Sequence, residues 1–346
     1  MTMTRGMTLV LAGLLGCGGS TVSRDDDTPP RDATTPSGEC AEIDVSSIED
    51  GLGAAHPCRS WLEAVRGRVG AFSLIGSFTV MSRRTTSKLA VVVSAAHTQG
   101  NEFDSVGTTV AASLVVPATT GVLKLKVPPA DGALGLPDLS PLYTMFHDAI
   151  PAAENNAGLT AIRPRHDFFV GVVDGQRIQY EDGPFPEPAD RMGGEVPLYD
   201  PTGATTSDAR FAAAAAGEQA ILVGYPKVGP ESGAFSVGRI LSDGEATAAL
   251  AALAAAGDEE GSLAYDPEVE FLVDAVALPG MSGGGVFDRD GRFLGAMVRA
   301  SSGAHVPTIV RVVRMTFIEG RMAALVAAYP QPEEVATYVD EAILGR

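Results

Sequence analysis

Apolar residues in this chain come mostly in short, β-branched runs. They are broken by Gly, Pro, Asn and Asp at intervals too short for helices. Strands are expected over residues 69–80, 89–96, 107–117 and 121–127, at the spacing of a β-barrel. Residues 128–165, rich in Pro, Ala and Asn, read as a surface loop with short helical turns that leaves His147 facing solvent. An apolar strand then opens at Asp167-Phe168-Phe169-Val170. Residues 176–207 read as a polar connection, and 209–216 as a short helix stopped by Gly217. Segments 218–226 and 233–241 read as a strand pair. Ser242-Asp243-Gly244-Glu245 then fits a capping box, opening an inserted Ala/Leu helix that runs to Ala256 and ends at Gly257. The apolar run 271–278 precedes a glycine-rich turn. Beyond it come Val286-Phe287, an Asp-Gly turn, a strand over 292–298 and a closing strand over 308–315. Two helices are expected at the end. One covers 317–328 and stops at Pro330; the other covers 332–344, with Val335, Tyr338, Val339 and Ala342 on one face.

The chemistry centres on Pro279-Gly280-Met281-Ser282-Gly283-Gly284-Gly285. A nucleophilic serine needs a sharp turn, unobstructed access and amide hydrogens converging on one spot, and glycines supply all three. A glycine-rich hairpin with a merely small serine would look the same in isolation. The Gly-x-Ser-x-Gly pattern also fits the nucleophile elbow of α/β-hydrolases, but an elbow requires a helix directly after the serine and the order Ser, Asp, His. Here a strand follows, and only His305 lies downstream. The order His, Asp, Ser fits better. His97 ends the buried run Leu89-Ala90-Val91-Val92-Val93-Ser94-Ala95-Ala96, and Asp167 opens an apolar strand where an unpartnered carboxylate would be costly. Asp104, Asp131, Asp148 and Asp174 lack that combination of strand context and distance. His56, His147, His166 and His305 read as structural or solvent-facing.

On these residues the chain resembles the chymotrypsin/trypsin-like serine peptidases, in particular their bacterial Deg-type branch. Ser94-Ala95-Ala96-His97 stands where the family carries Thr-Ala-Ala-His, and Gly280-Met281-Ser282-Gly283-Gly284 where it carries Gly-Asp/Asn-Ser-Gly-Gly. Segments 218–226 and 233–241 resemble that branch's Val-x-Gly-x-Pro and Val-Ser-x-Gly-x-Ile stretches, and 309–313 its closing strand. The resemblance covers roughly residues 66–328. It implies an all-β fold of two antiparallel six-stranded barrels, about 66–175 and 217–316, with C-terminal helices over 317–344. It further implies a Ser282-His97-Asp167 triad, with Gly280 and Ser282 amides as oxyanion hole. A specificity pocket is implied with Val276 at its floor and Val298, Arg299 and Ala300 along its wall. Asp167 is followed two residues on by Phe169, where the family has a small residue. Met281 replaces the aspartate by which trypsin-type zymogens capture a new N-terminus, so the site must be organised without that switch. Serine endopeptidase activity on polypeptides is the implied function, with no cofactor and no metal. A retired peptidase serving as a binding scaffold, or an esterase using the same triad, are the alternatives.

The N-terminus adds an address. Arg5 and the apolar run 7–15 have the form of a signal peptide over residues 1–16, too short to span a bilayer as a mature helix. Leu14-Leu15-Gly16-Cys17 resembles a bacterial lipobox, which implies acylation of Cys17 and a protein lipid-anchored at the cell envelope. Residues 17–39, rich in Ser, Thr, Asp and Pro, read as a disordered tether, and 40–346 as the peptidase domain. With Cys17 acylated, the chain's three cysteines leave Cys40 and Cys58 to form a disulfide outside the cytoplasm. A net charge of −18, one more negative once Arg5 is removed, disfavours nucleic acid and anionic headgroups as partners. A monomer without a PDZ module is expected.

Overall fold

The computed structural model describes residues 40–72, 76–83, 89–98, 114–117, 122–127, 139–147, 151, 153–154, 161–174, 179–180, 211–230 and 233–328. The signal peptide, Cys17 and the tether lie outside these residues, as do Asp104, Asp131, Asp148 and the expected helix over 332–344.

Strand β1 (Ile43–Ser47) is followed by the short helices Ile48–Gly51 and Arg59–Val65. The first sheet is built from β2 (Val69–Phe72), β3 (Gly76–Arg83), β4 (Leu89–Ser94), β5 (Leu114–Pro117), β6 (Val122–Val127), β7 (Leu139–His147), β8 (Phe169–Asp174) and β9 (Gln179–Tyr180). Its order is β5-β7-β8-β4-β3-β2-β6-β9, antiparallel except for the β6–β9 pair. The second sheet contains β10 (Gln219–Gly224), β11 (Ala234–Ile240), β12 (Glu270–Asp274), β13 (Gly285–Phe287), β14 (Phe293–Ala300) and β15 (Val310–Arg314). These six antiparallel strands run β11-β10-β13-β14-β15-β12 and return to β11 through Arg239↔Asp274 and Ile240↔Val273, closing a barrel. Closure leaves no edge among the six, and β1 adds to the outside along β11.

The strands of this barrel read as nearly unbroken apolar runs because both of their faces are covered. On β10, Ala220 and Leu222 pack with Phe271, Val273, Val286, Leu294 and Val312 inside the barrel. Ile221 and Val223 point the other way, into a second cluster with Val69, Val93, Phe168 and Val170 of the first sheet. That shared cluster also holds Trp61, Leu62 and Val65 from the N-terminal helix. Period-two alternation is therefore present but connects two cores rather than core and water.

The helix Asp243–Ala256 begins as its sequence predicts. Glu245 N–H donates to Ser242 Oγ (3.4 Å), Ser242 N–H donates to Glu245 Oε2 (2.8 Å), and Gly257 ends the helix at φ +80°. Its buried Ala246, Leu250 and Leu253 rest on Leu241, Leu272 and Ile309 on the barrel's outer surface. The helix Met315–Ala328 follows β15 directly.

Several expectations need correction. Residues 139–147, expected in a loop, form strand β7, which takes His147 into the sheet opposite Leu114. The loop composition around Tyr143, Met145 and Phe146 concealed an apolar run that gains pairing on two sides, from β5 and β8. Segment 69–80 is a hairpin of two strands rather than one run. The alanines over 212–215 form no helix, because Phe211 bridges Phe293 and Ala212 N–H donates to the Phe293 carbonyl (3.2 Å), an override of propensity by packing. Strand β1 and the Arg59–Val65 helix were not anticipated.

The Cys40–Cys58 disulfide is formed. It ties the start of β1 to the helix whose Trp61 Nε1 donates to the Asp288 carbonyl at 2.5 Å. Replacing both cysteines by serine should lower stability by ~3 kcal/mol, given a ring of this size. Urea unfolding of the purified domain reads this, and an unchanged midpoint would show that the N-terminal segment holds without its cross-link.

Candidate active site

Three segments converge on one cleft. The first is the end of β4, where Ser94 leads through buried Ala95 and Ala96 to His97. The second is the turn Pro164–His166, whose Pro164 carbonyl accepts the Asp167 N–H at 3.1 Å just before β8 begins. β8 pairs directly with β4, Phe169 opposite Ser94, so Asp167 arrives beside His97 as a consequence of register. The Asp167 carboxylate has no exposure to solvent. Its Oδ1 accepts the His97 backbone N–H at 2.9 Å, and both of its oxygens lie 2.9 Å from His97 Nδ1. The approach to Asp167 is itself pinned, because Glu154 accepts from Arg163 N (3.1 Å) and Nε (2.6 Å) and sits 2.9 Å from His166 Nδ1.

The third segment is the turn between β12 and β13. Met281 N–H donates to the Leu278 carbonyl (3.0 Å) and Gly280 takes φ +101°, where a Cβ would stand 2.4 Å from Lys227 N. Gly283 takes φ +86°, and a Cβ there would stand 2.1 Å from the Ser77 carbonyl. Neither position admits a side chain. The Pro279 carbonyl accepts from Lys227 N–H at 2.8 Å. Across that trans peptide, Gly280 N–H must point the opposite way. Likewise the Met281 carbonyl accepts from Gly284 N–H at 2.9 Å, which turns Ser282 N–H away from it. No acceptor among the described residues meets either amide. Met281 is wholly buried in the barrel interior, and its Sδ accepts from Leu278 N–H at 3.3 Å. An apolar anchor thus holds the turn.

His97 and Ser282 both line a cleft of about 340 Å³. Ala277, Leu278, Met297 and Val310 give it apolar walls, joined by the predicted Val298, Arg299 and Ala300; Val276 is half-buried and lies outside the lining. Arg299 is not an open cation. Its Nη2 and Nε lie 2.7 and 2.8 Å from Glu260 Oε1, and Glu260 also pairs with the fully buried Arg311 (Nε–Oε2 3.0 Å). Glu259 and Glu260, which reach the cleft from the segment after the inserted helix, were not singled out in the sequence, nor was Lys227. The positions of Glu259 and Glu260 depend on how the insertion docks, and no local signal marks any of the three. His56 stacks edge-on against Phe235, His305 sits beside Asp258 Oδ2 at 3.2 Å, and neither reaches His97's partners. No cluster of His, Cys, Asp and Glu suited to a metal occurs among the described residues, and none of their helices is long and apolar enough to cross a membrane.

Burial alone would depress the His97 pKa, but the charge of Asp167 and its hydrogen bond outweigh that, with Arg299 and Lys227 pulling weakly downward, so the net shift is upward. Because the folded value lies above the unfolded one, the pair stabilises the fold in full below about pH 6.5, and that contribution fades as pH rises through the raised folded value. Asp167→Asn should therefore lower the His97 pKa. Titration of the His97 ring by NMR checks this, and an unchanged or higher value would show that Asp167 does not govern the imidazole.

Among known proteins, residues 152–295 match the family described as Trypsin-like peptidase domain. No curated protein sequence gives a significant match. Of solved structures, a mutant of Rv3671c from M. tuberculosis H37Rv in an inactive form aligns at 15% identity and TM-score 0.40, covering 84% of this chain and all of that one. The Rv3671c protease in an inactive form aligns at 16% identity and TM-score 0.36, covering 76% of this chain and 90% of that one. The HtrA-type protease AlgW with decapeptide aligns at 13% and 0.37, covering 73% of this chain and 52% of that one. These are distant likenesses. The family match takes in Asp167 and Ser282, with His97 upstream of it, and what it describes is a trypsin-like peptidase domain.

Proposed function

We propose that the chain is a serine endopeptidase of the two-barrel type, in which Ser282, His97 and Asp167 form the triad. The observation that carries this reading is the buried Asp167 carboxylate holding His97 Nδ1 at 2.9 Å, on a cleft that Ser282 shares. Pairing between β6 and β7 (Val122↔Pro141, Leu123↔Ser140) supports treating the first sheet as a barrel as well.

With Nδ1–H donating to Asp167, Nε2 is the nitrogen left to act as base. It takes the proton of Ser282 Oγ as that oxygen attacks the substrate carbonyl, and returns it to the leaving amine. The negative oxygen formed in the attack is received by the unpartnered N–H groups of Gly280 and Ser282, each such donor contributing on the order of 10²–10³ in rate. Water then attacks the acyl group on Ser282 by the same proton path in reverse. Asp167 keeps the imidazole in one tautomer and stabilises its positive form.

The apolar cleft, with Arg299 committed to Glu260, suits a small or medium apolar side chain before the cut bond. A lysine or arginine would find Glu260 already paired with Arg299 and Arg311, with the exposed Glu259 as the remaining carboxylate of the described lining, and a charge buried away from a partner costs several kcal/mol. Peptide-library profiling should accordingly show apolar residues there; cleavage mainly after Lys or Arg would overturn the pocket assignment.

The lipobox-like Leu14-Leu15-Gly16-Cys17 supports placing the enzyme at a bacterial envelope on a Cys17 lipid anchor, its acidic surface opposing nucleic-acid partners. Acyl chains on Cys17 by intact mass test that address.

Ser282→Ala and His97→Ala should each abolish hydrolysis and fluorophosphonate labelling while keeping the fold, and the double variant should be little worse than either. A wild type that fails to label would favour a retired peptidase acting as a scaffold. A wild type that labels but cleaves only esters would favour the esterase.

A further inference from the structure

Ser77, in β3 of the first sheet, is wholly buried and uses every polar group it has on the turn that carries Ser282 or on its support. Its N–H donates to the Ser282 carbonyl at 2.7 Å, and its own carbonyl accepts from Ser94 Oγ at 2.7 Å. The hydroxyl is shared between two other segments. It donates to the Gly280 carbonyl at 2.9 Å and accepts from Tyr225 N–H at 2.7 Å. Tyr225 directly precedes Pro226-Lys227, and Lys227 N–H is the group that fixes the Pro279 carbonyl and so aims the Gly280 N–H.

We propose that Ser77 is a positioning residue for the oxyanion site, its hydroxyl clamping the Gly280 carbonyl to the Tyr225 amide so that the Gly280 N–H keeps the orientation opposite the Lys227-bound Pro279 carbonyl. The inference rests on the reading of Ser282 as the nucleophile. Its physical basis is that the two peptides on either side of Gly280 are each held by one hydrogen bond from outside the turn. The Pro279 carbonyl is held by Lys227, and the Gly280 carbonyl by Ser77. Gly280 has no side chain to resist rotation at φ +101°, so those two bonds, together with the Met281 N–H bond to the Leu278 carbonyl within the turn, are what oppose a peptide flip. Removing the hydroxyl frees one of them and also leaves the Tyr225 amide buried without that acceptor. Met281, packed in the barrel, holds the turn in place but not the orientation of the amide that precedes it.

The effect must appear where negative charge develops on the substrate oxygen, not in ground-state binding. Ser77→Ala should lower kcat by about 10- to 100-fold with KM little changed, less than the full loss of a donor because the N–H is loosened rather than deleted. Ser77→Thr, which keeps a hydroxyl, should stay within about threefold of wild type by the same reasoning. The rate of fluorophosphonate labelling, whose phosphoryl oxygen occupies the same site, should fall in parallel with kcat across the series. If Ser77→Ala does not fold, Ser77→Cys, somewhat larger and with a weaker donor, takes its place with the same expected direction. A wild type that labels, beside a folded Ser77→Ala or Ser77→Cys of unchanged labelling rate and kcat, overturns the clamp alone. A raised KM at unchanged kcat overturns it as well. A wild type that does not label overturns the reading of Ser282, and the clamp's role with it.

Discussion

A carboxylate sealed from water governs this structure. Asp167 has no solvent exposure, so its charge must be met inside the protein, and it is met twice by His97, through the backbone N–H and through the ring. Burial of an unpaired carboxylate would be far costlier than the net strength of a protein fold allows. The consequences run outward. β4 and β8 must pair in the register that sets Ser94 opposite Phe169, and the turn before Asp167 must be anchored, which Glu154 does through Arg163 and His166. The same constraint leaves Nε2 as the ring nitrogen available for chemistry.

The second requirement is that a turn from one sheet be shaped by groups from the other. Most of the bonds that orient residues 278–284 come from outside the turn. Ser77 and Thr79 contribute hydrogen bonds to its backbone from the first sheet, and Lys227 and Met297 from the turn's own barrel. The interface that brings them together is the shared apolar cluster of Ile221, Val223, Val93, Phe168 and Val170, which removes a large apolar area from water and fixes the sheets against each other. Polar precision at the turn is thus a product of apolar packing behind it. Met281 belongs to both, since its side chain sits in the barrel core while its neighbours line the cleft.

The cleft wall has a different origin. Arg299 projects from β14 but is held by Glu260, which follows the inserted helix and also meets Arg311. Arg311 is fully buried and further bound to Glu270, whose pKa burial pushes up to about 7 against the pull of that arginine. Such a network is weak as a source of stability, because desolvating the charges offsets much of their attraction. Its effect is on geometry: it couples the inserted helix to the wall of the cleft and engages a cation that would otherwise stand open there.

The pieces of chemistry were legible as local patterns. A histidine closing a β-branched run, an aspartate opening an apolar strand and a serine among glycines each stand out because backbone geometry restricts which residues fit there. The capping box at Ser242 and the helix end at Gly257 were equally local, and both stand as written in the sequence. Composition misled where packing overrode propensity, as in the alanines over 212–215 that run extended beside Phe293 and in the β7 strand within a loop-like stretch. No reading of the sequence could have singled out Ser77, Lys227 or Glu260. Each lies dozens of residues from what it touches, and its partners are backbone groups or a distant side chain, which leave no mark in residue type. The sequence by itself determined which residues are candidates for the chemistry. Only the tertiary structure decided what aims them, because orientation depends on hydrogen bonds made between sheets after the apolar faces have met.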